Sequence, residues 1–196
     1  KRHKRMTDFT PLLNRLAARN IRPNTDKARE WFRKKARETR VTRASLLGDG
    51  DRSAATPNIG SMYCYQYDPK YAKKLPYYDE FPLIFMVERI SGGFVGINLH
   101  YVSPRNRIVV MNALSEIASN KRYDSTTRLR LSYNVLKGLS KYNVIKPCLK
   151  KYLFTHVRSK FVKIQANEWD IALFLPVQKF KKAAASKVWS DSARRS

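Results

Sequence analysis

The sequence is poor in acid, in cysteine and in glycine. Its 196 residues hold 15 Asp and Glu, two Cys and seven Gly. The two cysteines, Cys64 and Cys148, form no C-x-x-C pair, and His3, His100 and His156 stand far apart. A zinc site would need ligands gathered from distant segments, so two buried, reduced thiols are expected. No apolar run reaches the ~18 residues a spanning helix needs. No apolar stretch follows the basic start KRHKR, so a secretory signal is not expected. The glycines form no phosphate-cradling loop, and there is no G-x-S-x-G elbow and no H-E-x-x-H pair. These absences favour binding over catalysis, and no cofactor is expected.

What is present is cation. Forty Lys and Arg give a formal net charge of +25 and a pI near 10.4. Such an excess repels itself, and its usual complement is a polyanion. The excess runs along the whole chain, with 16 basic against 6 acidic residues in 1–56. A membrane binder instead concentrates its charge on one amphipathic helix. Nucleic acid, DNA or RNA, is therefore the expected partner, and no membrane.

Three regions are expected: a basic arm and linker over 1–59, a core domain over 60–178, and a basic tail over 179–196. The fold class is α+β. A small curved antiparallel sheet or SH3-like barrel packs with C-terminal helices, preceded by an extended basic helical arm. The arm reads as poor in core residues. It holds a short helix from Thr10, with Pro11 in its first turn and Leu12, Leu13 and Leu16 on one face. A second helix runs to about Arg40, capped by Asn24 or Thr25 and anchored by Trp31 and Phe32. Residues 46–58 read as a connector.

Tyr63, Tyr65 and Tyr67 alternate onto one face of a strand. Residues 82–88 form a second strand, Ser91-Gly92-Gly93 turns the chain, and 94–101 returns. On that return Val95, Ile97, Leu99 and Tyr101 share a face, and Asn98 and His100 share the other. Pro104 begins a helix with Val110, Met111, Leu114, Ile117 and Ala118 inward. Residues 126–142 read as a helix. So do 147–160, where Leu149, Tyr152, Leu153, His156 and Val157 form a stripe. Residues 161–164 return as a strand, Asn167 caps a helix that Pro176 ends, and the tail is a frayed helix.

Asp79 and Glu80 are the acids best placed for chemistry, beside Asp68 in the motif DPK. Nuclease metal sites need two or three carboxylates on one ion. The expectation is instead that Asp79 caps the turn into the 82–88 strand through side-chain to backbone bonds, and that Glu80 shapes the protein without doing chemistry. Tyr63, Tyr65, Tyr67, Tyr71, Tyr77 and Tyr78 crowd together with lysines between them. They either pack the core or form a stacking platform for bases. His100 is expected to be a hydrogen-bonded structural histidine, and His156 a core one. The candidate DNA contacts are Arg29, Arg33, Lys34, Lys35, Arg37 and Arg40 in the arm, with Lys70, Lys73 and Lys74 among the tyrosines. Arg105 and Arg107 after His100, and Lys150 and Lys151 in the 147–160 segment, complete the set.

The blocks GSMYCYQYDPKYAKKLPYYDEFPLIF and GGFVGINLHYVSPRNRIVVMNAL, with KPCLKKYLFTHVRSKFVKI and EWDIALFLPVQKF, resemble a family of T-even-type contractile-tailed bacteriophages, especially those of marine cyanobacteria. Its members are called DNA end protector proteins. The resemblance covers about residues 60–189. It implies a virion component, assembled in the host cytoplasm among other virion structural proteins, that binds double-stranded DNA and shields the ends of the packaged linear genome from host exonuclease. It brings no catalytic residues. Two alternatives stand beside it: a structural adaptor of tail, neck or baseplate, and a metal-dependent nuclease.

Overall fold

A computed structural model describes residues 8–118 and 142–195. The expected helix over 126–142 lies, but for its last residue, outside them. Helix α1 (Thr10–Ala18) starts where Pro11 has no N–H to lose, and it buries Leu12 and Leu16 one turn apart beside Phe9. Helix α2 (Asp26–Lys35) is capped by Thr25, whose hydroxyl accepts from the Ala28 N–H at 3.2 Å. Ala28, Phe32 and Ala36 then repeat every fourth residue on the buried side. Helix α3 (Arg43–Leu47) opens on a reciprocal Thr42–Ser45 capping box and buries Leu46.

These residues correct the expectation of a core-poor arm. Phe9, Leu12, Leu16, Ile21, Ala28, Phe32, Ala36 and Leu46 all belong to the main apolar cluster, together with strand residues such as Phe85 and Ile97. The arm has few apolar side chains, but its helical phase puts nearly all of them inside.

The cluster lies on one face of a six-stranded antiparallel sheet ordered β1-β7-β2-β4-β5-β6. The strands are β1 (Ser53–Ala54), β2 (Met62–Cys64), β4 (Leu83–Ile90), β5 (Gly93–Asn98), β6 (Leu149–Leu153) and β7 (Phe161–Ile164). The sheet is open, with β1 and β6 as its edges, so the barrel alternative is not formed. The pair β3 (Tyr78–Asp79) and β8 (Phe180–Lys181) makes a separate two-stranded ladder. β4 and β5 join through Ser91-Gly92, where Gly92 takes a φ of +72° that side chains disfavour. Alternation sends Tyr63, Tyr65 and Tyr67 to the other face, where they pack with Phe94, Tyr152 and Phe161. Phe154 and Val157, from the connection between β6 and β7, cover this aromatic cluster.

The segment 147–160 is not a helix. It forms a 3-10 turn, β6, and a second 3-10 turn over Phe154–His156. The apolar spacing fitted a helix, but β5 had a free edge and a glycine, Gly93, facing the segment. A Cβ at Gly93 would stand 2.0 Å from the Tyr152 carbonyl oxygen, so only glycine lets the strands approach there. His156 is accordingly half-buried on that turn and not a core residue.

Helix α4 (Pro104–Ala118) follows Ser103 and buries Val110, Met111 and Leu114; its side chains beyond Leu114 are not described. A short helix α5 (Tyr142–Ile145) precedes β6. Gln165, not Asn167, caps the next turn, through a reciprocal box with Glu168. Helix α6 (Trp169–Ala172) follows and ends before Pro176. The tail forms β8 and helix α7 (Ala185–Arg195), which buries Val188. Trp189 ties α7 down by donating its Nε1–H to the His100 carbonyl at 2.9 Å.

Candidate nucleic-acid interface

Cations at a phosphate-binding surface must be exposed and not already neutralised. The helical phase of α2 divides the arm's candidates by this test. Arg29 shares the buried side with Ala28 and Phe32 and is 1% exposed. Its Nε donates to Asp170 on α6 at 3.0 Å, and its Nη1 meets the amide oxygen of Asn112 on α4. Burial pushes the Asp170 carboxyl up, against the opposing pull of the Asn24 N–H and of Arg29. Arg29 is thus an internal strut and is corrected out of the interface.

Arg33, Lys34, Arg37 and Arg40 face solvent, and Lys35 is half-buried. Arg33 pairs with Glu30 at 3.1 Å and Lys35 with Glu38 at 2.9 Å. Lys34, Arg37 and Arg40 meet no acidic side chain among the described residues.

Arg107 is likewise removed from any surface. It is 1% exposed, and its guanidinium donates to the carbonyls of Leu99, Val102 and Leu173 at 2.8, 3.1 and 2.6 Å. Burial lowers its pKa to about 10. Arg105, two residues earlier on α4, is exposed. On β6, Lys151 is exposed, while the Lys150 ammonium sits 4.1 Å from the centre of the Tyr101 ring. Burial holds Lys150 below the ordinary lysine range.

Lys70, Lys73 and Lys74 stand exposed on one turn around Tyr71. Composition missed what fixes that turn. Lys182, at a φ of +70°, directs its Nζ to the carbonyls of Ala72, Lys73 and Leu75 at 2.5, 3.2 and 2.9 Å. The only hint in the sequence was a lysine-rich segment far along the chain. The tyrosines divide as the strand pattern requires: Tyr63, Tyr65 and Tyr67 are core, Tyr77 and Tyr78 half-buried, and Tyr71 exposed.

The carboxylates are arranged for structure. Asp79 is 3% exposed and accepts from the Phe81 N–H at 2.9 Å, the cap into β4 that its position implied. It also accepts from Asn98 at 3.1 Å, from the Lys179 N–H at 3.3 Å, and lies 2.8 Å from His100 Nδ1. Burial raises the Asp79 carboxyl, but these donors more than offset it and hold it below its usual range. Burial lowers the His100 imidazole despite Asp79, so the neutral ring donates Nδ1–H. Each Asp79 oxygen thus meets two donors of the fold, Oδ1 the Phe81 and Lys179 N–H groups and Oδ2 the Asn98 and His100 side chains. Glu80 pairs with Lys179 at 3.0 Å and Lys181 at 3.7 Å. Asp68 lies 3.7 Å from Arg158. Among the described residues no three His, Cys, Asp or Glu side chains gather to hold a metal ion.

A groove of about 770 Å³ runs between α3 and the loop segments that carry residues 66–68, Glu80, Arg158 and Lys179. Arg43, Arg158 and Lys179 line it, but so do Asp68 and Glu80. Charges of both signs make it a poor seat for a phosphate chain. No helix among the described residues is long and apolar enough to cross a membrane.

Comparison with known proteins bears on this surface. The family model described as phage T4 terminal DNA protecting protein matches residues 2–192, and so takes in the N-terminal helices as well as the sheet. No curated protein and no solved structure matches the chain.

Proposed function

Because the chain belongs to the family of the phage T4 terminal DNA protecting protein, we propose that it binds the ends of linear double-stranded DNA, without sequence preference, and keeps nucleases from them. It acts by occupying the end and carries out no reaction. Its place is the virion, on the packaged genome.

The observation that carries this reading is where the charge lies. Among the described residues, Arg29 and Arg107 are the only buried Lys or Arg side chains, Arg52 and Lys150 are largely covered, and most of the other described cations are exposed. Phosphates are the same in every sequence, so cations that contact them give affinity without sequence preference. The engaged state of Asp79 and Glu80 weighs against a nuclease.

The test is binding across a salt series on two unrelated linear duplexes, with exonuclease digestion in parallel. About six phosphate contacts would give a slope near −5 in log K against log salt. Both duplexes should bind alike and be protected from digestion. A flat salt response, or binding to one sequence alone, would overturn the proposal and favour an adaptor role in the particle. Magnesium-dependent cleavage of the duplex would favour the nuclease.

A further inference from the structure

Phosphate contacts explain affinity for DNA but not preference for an end, since the same phosphates flank every interior base pair. What an end adds is one unstacked base-pair face. A flat aromatic group held in solvent is the complement of that face.

Tyr71 is such a group. It is 57% exposed, while Tyr63, Tyr65, Tyr67 and Tyr152 are buried. Isolated exposed rings are common, but this one sits on a fixed mount. The Tyr71 carbonyl accepts from the N–H groups of Lys74 and Leu75 at 2.9 and 3.1 Å, and Lys182 ties down three further carbonyls of the turn. Cations surround it. The ammoniums of Lys70 and Lys74 lie 5.4 and 5.9 Å from the ring centre, and Lys73 is exposed beside them. Residues 69–75 contain no acid.

We propose that Tyr71 stacks on the terminal base pair of a linear duplex while Lys70, Lys73 and Lys74 hold the phosphates beside it. This deepens the end-protection reading and rests on it. On contact the lysines swing off the ring to the phosphates, exchanging a weak exposed cation–π contact for an ion pair. The ring face they leave is then open to the base pair. Because Lys182 fixes the turn's backbone, little ordering remains to oppose binding.

The test compares a short blunt duplex with a dumbbell of the same stem closed by hairpin loops, which has no free base-pair face. The full chain should prefer the blunt duplex. Tyr71→Ala should remove roughly 5- to 150-fold of that preference, the range for one stacked base, and leave dumbbell affinity unchanged. Tyr71→Phe and Tyr71→Trp should retain it. 2-Aminopurine in the terminal pair should change fluorescence with the wild type and not with Tyr71→Ala. If Tyr71→Ala keeps the full preference, stacking is wrong while end protection stands. If it weakens blunt duplex and dumbbell equally, Tyr71 is a general contact and the proposal fails. A wild type that binds both probes equally overturns stacking and end protection together, and one that binds neither overturns the DNA reading itself.

Discussion

Residues 26–40 and residues 63–78 both mix aromatic rings with lysine or arginine, and the structure treats them in opposite ways. In α2 the cations dominate, yet the helix turns Phe32 inward and takes Arg29 with it. In the tyrosine segment the aromatics dominate, yet β2 ends at Cys64, Tyr67 keeps only a single bridge to Val157, and the chain then delivers Tyr71 and three lysines to solvent. Backbone phase decides this, not composition. A helix places residues three and four apart on one side, so Arg29 lies next to Phe32 and Ala28 whatever its charge. A strand alternates only while it remains a strand, and the rule that buried Tyr63, Tyr65 and Tyr67 has no hold on a turn.

The strongest way to break the comparison is to remove the first region. Deleting residues 1–45 takes Phe9, Leu12, Leu16, Ile21, Ala28, Phe32 and Ala36 from the core and leaves Asp170 buried without Arg29. The truncated chain is expected to lose its cooperative unfolding transition by circular dichroism. Substitutions separate the two causes. Asp170→Ala removes the partner of the Arg29 Nε while Asn112 and Asp26 remain beside the guanidinium, and should cost about 3 kcal/mol in urea unfolding. Phe32→Ala should cost about 3–5 kcal/mol through lost packing. If either costs under about 1 kcal/mol, α2 is a surface arm after all.

A smaller effect follows from the link between Asp79 on β3 and His100 beyond β5. The folded state lowers the His100 pKa below its unfolded value of about 6.5. The unfolded chain therefore takes up that proton first, so this contribution is whole above about pH 6.5 and is lost as pH falls below it. Melting temperature should fall between pH 7 and pH 5, and His100→Gln should flatten that fall. Smallest for the fold are the exposed lysines. Lys34→Ala and Lys73→Ala should change stability by no more than about 0.5 kcal/mol. Each that contacts a phosphate should reduce the salt slope by about 1. A lysine that alters melting but not the slope belongs to the fold.

Much of the fold was legible wherever one local rule sufficed. Thr25 before Asp26, Pro11 after Thr10, Ser91-Gly92 between apolar runs and Pro104 after Ser103 each fixed a boundary. So did Asp79, whose short side chain suits the cap it makes. The rest depended on partners distant in sequence. Leu149, Tyr152, Leu153 and His156 satisfied helical spacing, and only the free edge of β5 with Gly93 made β6 a strand. Arg29 and Arg107 looked like any surface arginine, because Asp170 and the Leu173 carbonyl lie 141 and 66 residues away. For the interface, charge indicated the class of partner, but which cations face outward was set by helix phase and by Lys182.

The order of the sheet also bears on when the protein can exist at all. β2 pairs with β4 some twenty residues on, but also with β7 a hundred residues on, and among the described residues β1 pairs with β7 alone. Asn24 and Arg29 likewise wait for Asp170. Contacts of such span close slowly, after the chain entropy between them has been given up. The N-terminal helices can meet the β4–β5 hairpin and α4 as soon as these emerge from the ribosome, but they cannot complete their seat until α6 brings Asp170. Until then their buried arginine is only half paired, so the mature N-terminal surface is among the last parts of the protein to settle.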